Sequence, residues 1–205
     1  MAPMPSPEPI PVHDAGQRAT LLKIAARSIA HGLERNRPLE VDPADYPEPL
    51  REPRATFVTL ELGRRLRGCI GVLEAVRPLV EDVAMHAFAA AFEDPRFAPL
   101  RPAEYPDLTL KISVLSPSEP MPFNSEADLL GQIRPGVDGL ILRDRGHRGT
   151  FLPSVWEQLP DPREFLDHLK LKAGLPPGHW SDSIQILRYT TESFQGPIPA
   201  SMGRP

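Results

Sequence analysis

The residues best suited to chemistry lie at positions 66–71, which read LRGCIG and include Cys69, the one cysteine of the chain. Arg67 precedes the thiol by two residues, so both side chains are expected on one strand face, and a nearby cation favours the nucleophilic thiolate. Gly68 and Gly71 flank Cys69, and glycine inside a strand often marks a close approach to the backbone. The pattern predicts either a reactive or ligand-facing strand, or a tightly packed strand with room for small residues only.

Two further residues could complete a catalytic set with the thiol. His86 lies in an otherwise apolar helical segment, where it could act as a base or be a core histidine with a backbone partner. Asp94 could supply the acid of a Cys/His/acid set, but such sets are recognised by geometry, which a sequence does not contain. Asp94 and Arg96 also belong to the motif EDPRF, where they predict an ion pair that fixes the turn or lines a cleft.

Other ligand-binding patterns are sparse. His147 stands with Arg145 and Arg148 at the expected tip of a hairpin, which predicts either a site for a small anion or partner, or plain solvent exposure. No two histidines stand two or four residues apart, so the sequence predicts no metal site. No glycine-rich loop joins a strand to a helix, so we expect no backbone phosphate cradle and no cofactor.

The composition is that of an ordinary globular protein. The chain has 205 residues, of which 40% are hydrophobic and 24% charged, and its formal net charge is −4. This length favours one domain, or one domain with a smaller lobe, and the charge argues against nucleic acid as the main partner. No apolar run approaches the roughly 18 residues of a membrane span, and the acidic, Pro-rich start lacks signal-peptide features. We therefore expect a cytoplasmic protein that does not bind membranes.

Periodic patterns predict helices interspersed with hairpins. The predicted helices cover residues 14–36, 79–92, 125–133 and 161–173, with residues 37–54 as an extended connection. The predicted strands cover residues 55–62, 66–73, 108–115, 139–143, 149–152 and 184–189. Frequent hairpins favour an α+β fold, in which a mostly antiparallel sheet is packed by helices and joined by a smaller second lobe. Residues 1–12 and 196–205 are Pro-rich and predict disordered tails around a domain at 13–195.

An ordered series of motifs extends beyond LRGCIG. It continues with AAFEDPRFAPL (90–100), SVLSPSEPM (113–121), GVDGLIL (136–142), FLPSVW (151–156) and FLDHLKLKAGLPPGHW (165–180). In this order the motifs resemble the AMMECR domain, also called AmmeMemoRadiSam system protein A. The resemblance implies an α+β fold with a smaller lobe and an association with a Memo-like protein and a radical-SAM-type protein. The family's biochemical activity is not established, and LRGCIG is its presumed functional surface.

Two hypotheses about function follow from the residues and the resemblance. In the first, the protein is an accessory component that presents LRGCIG to a partner, a peptide or a small ligand. In the second, it is an enzyme that uses Cys69 as nucleophile and a histidine, tentatively His86, as base. The predicted binding residues are Arg67, Gly68, Cys69, Ile70, Gly71, Asp94, Arg96 and His147.

Overall fold

The computed structural model describes residues 12–199, which form two compact units. Residues 12–115 and 192–199 make up the large unit, and residues 116–191 make up the small unit. The helices are α1 (Ala15–Arg35), α2 (Glu48–Arg51), α3 (Leu79–Phe92), α4 (Glu126–Gln132) and α5 (Pro162–Lys172). The strands are β1 (Thr56–Leu62), β2 (Arg65–Gly71), β3 (Leu108–Leu115), β4 (Glu119–Pro120), β5 (Gly139–Asp144), β6 (His147–Phe151), β7 (Gln185–Tyr189) and β8 (Thr191–Pro197). None of the helices within residues 12–199 is long and apolar enough to cross a bilayer.

Helix α1 begins as the sequence predicts. The Asp14 side chain accepts a hydrogen bond from the backbone N–H of Gln17, and the Gln17 side chain accepts one from the N–H of Asp14. This capping box satisfies donors that the first turn of a helix leaves unpaired. Leu21, Ala25 and Ile29 then follow at intervals of four residues and are all fully buried in the core of the large unit.

The large unit is built on a four-stranded sheet with the order β2-β1-β3-β8. Strand β1 pairs antiparallel with β2 and with β3, and helix α3 packs on β1 and β2. Thr56, Val58 and Leu60 of β1 are buried on the side of α3, which we call the helix face. Phe57 and Thr59 alternate with them on the opposite side, the outer face, and are half-buried. Strand β2 is an edge strand of this sheet.

The small unit contains a second sheet, with the order β4-β7-β5-β6, in which the pairs are antiparallel. Strands β5 and β6 form the predicted hairpin, and Arg145 and Gly146 at its turn have φ values of 46° and 88°. The core of this unit centres on Phe165 of α5. The Trp156 ring stacks on it with a centroid distance of 3.8 Å.

The predicted α+β class with antiparallel strands is confirmed, but the short strand β4 was not predicted and two further segments differ from prediction. Strand β8 runs to Pro197, and the Ile198 N–H donates to the Leu108 carbonyl oxygen at 3.2 Å. The predicted boundary between domain and tail, at residue 196, therefore lies too early in the sequence. Proline is tolerated at a strand end, where no ladder hydrogen bond is needed. Residues 37–54 are not simply extended, because they include α2 with its fully buried Leu50. Of the predicted tails, residues 1–11 and 200–205 lie outside the described residues.

Candidate functional site

Cys69 lies in edge strand β2 with its side chain on the outer face. It pairs with Thr59, and directly paired residues of antiparallel strands project to the same side. The Thr59 hydroxyl donates a hydrogen bond to the Cys69 sulfur at 3.1 Å. Gly71 pairs with Phe57 on the same face, where a Cβ would come within 2.4 Å of the Phe57 ring. The thiol is half-buried, so it is neither sealed in the core nor fully exposed.

The neighbours of Cys69 in the motif project towards the helices. Gly68 pairs with Leu60 and Ile70 pairs with Val58, both on the helix face. A Cβ at Gly68 would come within 2.0 Å of the Ala90 carbonyl oxygen of α3. Gly68 is therefore required because a helix backbone lies against the strand, and this part of the motif is explained by packing.

Asp94 and Arg96, which follow α3, bind the backbone of Cys69 along the edge of β2 that faces away from β1. Asp94 Oδ2 accepts hydrogen bonds from the Cys69 backbone N–H at 2.8 Å and from Arg96 Nη2 at 2.7 Å. Arg96 Nη2 also donates to the Cys69 carbonyl oxygen at 3.3 Å. These side chains take the two backbone groups that an added strand would use. We call this arrangement the Asp94–Arg96 clamp.

The clamp combines a buried anion with an exposed cation. The Arg96 guanidinium, together with the backbone N–H groups of Cys69 and Arg96, holds the pKa of Asp94 well below its ordinary range, against the opposing effect of burial. The hydrogen bond with Asp94 raises the pKa of Arg96 in turn. The Asp94 side chain is 2% exposed and that of Arg96 is 55% exposed. The clamp therefore presents positive charge to solvent.

Arg67 lies at a β-bulge and is bound by Glu104. The register of the β1–β2 pair shifts between Leu60 and Glu61, and Arg67 has no partner on β1. Arg67 Nε donates to Glu104 Oε1 at 2.9 Å, and the two side chains are 13% and 14% exposed. The hydrogen bond from Arg67 lowers the pKa of Glu104 to about 2. Because the bulge interrupts the strand alternation, spacing alone does not place Arg67 on the same face as Cys69.

Phe97 lies beside two cations of this region. Its ring centroid is 6.0 Å from Cζ of Arg67 and 5.5 Å from Cζ of Arg96, distances typical of cation–π contacts. The Nη1 atom of Arg67 is buried and has no hydrogen-bond partner among the described residues. We define the Cys69 surface as Thr59, Arg67, Cys69, Arg96 and Phe97.

His86 is not a partner of the thiol. It is 5% exposed, and its Nδ1 lies 3.1 Å from Thr56 Oγ1 and 3.0 Å from Asp82 Oδ2. Thr56 is on the helix face of β1, whereas Thr59 and Cys69 are on the outer face. The sheet separates the imidazole from the thiol, so the hypothesised Cys69–His86 pair is not formed. His86 is a core histidine with side-chain partners.

His147 belongs to the small unit, where it begins β6. Its Nδ1 lies 3.0 Å from the Ala173 carbonyl oxygen at the end of α5, and the residue is exposed. The structure therefore brings Arg67, Cys69, Asp94 and Arg96 together but assigns His147 to a different unit.

A Ser/His/Asp cluster in the small unit went unnoticed in the sequence. Asp144 accepts hydrogen bonds from Ser183 Oγ at 2.6 Å, His179 Nε2 at 2.6 Å and Ser181 Oγ at 3.0 Å. The bonds from Ser183 and then His179 lower the pKa of Asp144 to about 2. Both serines donate to the carboxylate, so the cluster lacks the order of nucleophile, base and acid. It ties the segment 179–183 to the end of β5. An aspartate at a strand end and the run HWSDS were the available signals.

The fold and site define a class of α+β protein with two antiparallel sheets and a clamped cysteine on an edge strand. Among residues 12–199, no group of three or more His, Cys, Asp or Glu side chains could hold a metal ion. The family model AMMECR1 matches residues 22–194. The chain belongs to the AMMECR1 family, which confirms the resemblance seen in the ordered motifs.

Relatives of the chain come from archaea. It is 42% identical to a protein from Methanothermobacter thermautotrophicus over 177 residues, which cover 85% of this chain and 92% of that protein. It is 39% identical to a protein from Thermofilum pendens over 197 residues, which cover 90% and 92%. The crystal structure of the uncharacterized protein PH0010 from Pyrococcus horikoshii matches with a TM-score of 0.76 and 35% identity, covering 86% of this chain and 89% of that one. None of these names states an activity.

Proposed function

We propose that the protein is a binding component that holds a partner protein with the Cys69 surface. The proposed setting is a modification system that also contains a radical-SAM-type protein and a Memo-like protein. The observation that carries the proposal is the clamp, because Asp94 and Arg96 fix both backbone groups of Cys69. A site held in one conformation before binding loses less entropy when the partner docks. We also propose a cytoplasmic location, where a lone thiol stays reduced.

The side chains of the Cys69 surface suit an acidic partner segment. Arginine and aromatic residues carry much of the binding energy in protein interfaces, and Arg96 with Phe97 supplies both. The Arg96 side chain is 55% exposed, so a carboxylate of the partner can pair with it.

The thiol-enzyme alternative receives no support from a specific contact. That mechanism needs an imidazole within roughly 4 Å of the sulfur to take its proton. The sheet separates His86 from Cys69, and the hydroxyl of Thr59 donates to the sulfur instead of accepting from it. Recognition of a partner is therefore the function that this geometry supports better.

Affinity measurements with purified partners test the proposal. Biolayer interferometry is run with the radical-SAM-type and Memo-like proteins encoded in the same genome. We expect Arg96→Ala to weaken binding by about tenfold or more, because it removes the exposed cation and half of the clamp. Cys69→Ser, which keeps the size of the side chain, tests the thiol itself. Arg37→Ala is the matched control, since it removes a 60% exposed arginine of the same unit outside the Cys69 surface.

Each outcome has a distinct meaning. Binding that is weakened in Arg96→Ala and retained in Arg37→Ala supports the proposed surface. If all variants have native circular dichroism spectra and bind the partner with the affinity of the wild type, the proposed surface is rejected, but the proposed partner is not. Absence of binding to either protein up to about 100 µM, an affinity of roughly 5 kcal/mol, rejects the proposed system.

A further inference from the structure

The small unit contains a cavity of about 520 Å³ beside strand β7. The rings of Phe123 and Trp180 line it, with their centroids 5.5 Å apart and their planes inclined by 56°. Trp180 remains 36% exposed, so part of this large ring is accessible, and Lys170 Nζ lies over the ring at 5.8 Å from its centroid. Asn124 and Asp182 add polar groups to the same wall. The cavity therefore offers an aromatic platform with hydrogen-bonding groups at its side.

A second cavity, of about 340 Å³, adjoins the first, because Arg143 and Gln185 line both. Arg145 and Arg148 also line the second cavity, which thus collects three guanidinium groups. Among the described residues that line it, Asp144 supplies a carboxylate that accepts hydrogen bonds from three neighbouring side chains. Three guanidinium groups therefore lie at this end, next to the aromatic platform.

The turn of the β5–β6 hairpin fixes one of these cations. Arg145 has a φ of 46°, a left-handed conformation that non-glycine residues seldom adopt. Its Nε–H donates to Ser183 Oγ at 3.1 Å, and Ser183 is held in turn by Asp144. A guanidinium has five N–H donors, so this bond anchors the Arg145 side chain and leaves its other N–H groups to bind oxygen atoms. Gly146 also has a positive φ, as the two-residue turn between β5 and β6 requires, so the turn itself accounts for this conformation.

We propose that the two cavities form one binding site for a nucleoside phosphate. The base stacks on Trp180, the ribose hydroxyls donate to Asp182, and the phosphate binds Arg143 with its neighbouring arginines. Guanidinium forks match phosphate oxygens in a bidentate geometry, and both volumes lie in the range of small-molecule sites, roughly 300–1,000 Å³. Side chains hold the anion here, which agrees with the lack of a glycine-rich cradle in the sequence. The proposal is independent of the Cys69 surface.

Calorimetry with three probes tests the proposed class of ligand. AMP, adenosine and inorganic phosphate are titrated separately into the full chain. We expect AMP to bind at least about tenfold more tightly than either fragment, because it engages both cavities. In ¹⁵N-labelled protein, AMP should shift the indole N–H signal of Trp180 and leave that of Trp156, which is 5% exposed in the core, unchanged. Trp180→Leu assigns the two signals and should weaken AMP binding.

Substitutions at the arginines separate the nucleotide site from general charge. Arg143→Gln should reduce the affinity for AMP to that for adenosine, whereas Arg163→Gln, at a 63% exposed arginine of α5 outside both cavities, should leave it unchanged. If Arg143→Gln does not fold, Arg148→Gln takes its place. Equal affinities for AMP and phosphate would mean a simple anion site and overturn the proposal. An unmoved Trp180 signal, or no AMP binding up to about 5 mM, overturns it as well.

Discussion

The carboxylate of Asp94 lies between the backbone N–H of Cys69, at 2.8 Å, and the guanidinium of Arg96, at 2.7 Å. It thereby connects the segment after helix α3 to the edge of strand β2. Hydrogen bonds to an ionised group are about twice as strong as neutral ones, so the position of the cysteine depends on the charge of Asp94. Protonation of this carboxyl should loosen the clamp and destabilise the large unit.

The stability of the large unit should depend on pH through Asp94. Its pKa is lower in the folded chain than the ordinary value of 3.8, so folding favours the ionised form. Such a group contributes stability above its unfolded pKa and loses the contribution as pH falls towards the folded pKa. We expect Asp94→Asn to lower the free energy of unfolding by about 2 kcal/mol at neutral pH. The difference from the wild type should shrink below about pH 4, as urea unfolding at several pH values can measure.

Asp107→Asn is the matched control for this experiment, since Asp107 is an exposed carboxylate of the same unit. Its effect should be below about 0.5 kcal/mol at every pH. A difference between Asp94→Asn and the wild type that stays constant from neutral pH to pH 3 would contradict the linkage.

The alkylation rate of Cys69 should not depend on His86. Cys69 projects from the outer face of the sheet, whereas His86 belongs to α3 and contacts the helix face, so the imidazole cannot take the thiol proton. We expect His86→Gln to leave the iodoacetamide labelling rate of the native protein within about twofold of wild type from pH 5 to 9. Because the chain has one cysteine, the label reports on Cys69 alone.

A matched control for labelling is Thr59→Val, which removes the hydroxyl that donates to the sulfur while keeping the β-branched shape. This variant should change the labelling rate, because the thiol loses its hydrogen bond. A fall of about tenfold in His86→Gln with an unchanged fold would instead restore the thiol-enzyme hypothesis.

Local sequence signals predicted most helices and strands, because caps and turns depend on residues that are close together in the chain. The capping box of Asp14 and Gln17 fixed the start of α1, and Asp161 caps α5 as expected. The hairpin around Arg145 was visible from its turn residues. Strand β8 was missed, since proline and glycine in Thr191–Pro197 resemble a tail and its pairing depends on a distant strand.

The sequence named candidate residues for a site but not the contacts among them. The motifs pointed to Arg67, Cys69, Asp94 and Arg96, and the structure brings these together. The separation of His86 from Cys69 depends on the strand register and on the side of the sheet where α3 packs, and no local sequence pattern encodes either. Asp144 and His179 are 35 residues apart, so their contact also needed the fold.

The ion pair between Arg67 and Glu104 should contribute strongly to the stability of the β2 edge. Both side chains are largely buried, and removing one partner leaves an uncompensated charge. We expect Arg67→Ala to cost about 3 kcal/mol. A double-mutant cycle with Glu104→Ala should give a coupling energy of about 2 kcal/mol, measured by urea unfolding. Arg101→Ala is the control, because it removes a 78% exposed partner of the same carboxylate and should cost below about 1 kcal/mol.

The pH dependence of the same pair has a definite direction. The pKa of Glu104 is lowered from 4.5 to about 2 in the folded chain. Its contribution is therefore present above about pH 4.5 and is lost as pH falls towards 2. The coupling energy should follow this loss. A coupling that is near zero at neutral pH would show that the pair does not stabilise the edge.

Gly68→Ala should destabilise the large unit through packing alone. A Cβ at this position would lie 2.0 Å from the Ala90 carbonyl oxygen, and a backbone atom cannot move aside as a flexible side chain can. We expect a cost of about 2 kcal/mol in the free energy of unfolding. Gly131→Ala, in α4 of the small unit, is the control for replacing a glycine by alanine, because no atom of the described residues lies within 4 Å of the added Cβ and alanine favours helix.

Partner binding should separate the packing role of Gly68 from the proposed recognition role of the Cys69 surface. If Gly68 serves packing and the Cys69 surface serves recognition, then Gly68→Ala at a temperature where it remains folded should bind the partner as the wild type does. Arg96→Ala should show the opposite pattern, with weakened binding and a smaller loss of stability, since its side chain is 55% exposed. Weakened binding in a folded Gly68→Ala variant would mean that the spacing between α3 and β2 itself positions Cys69 for the partner.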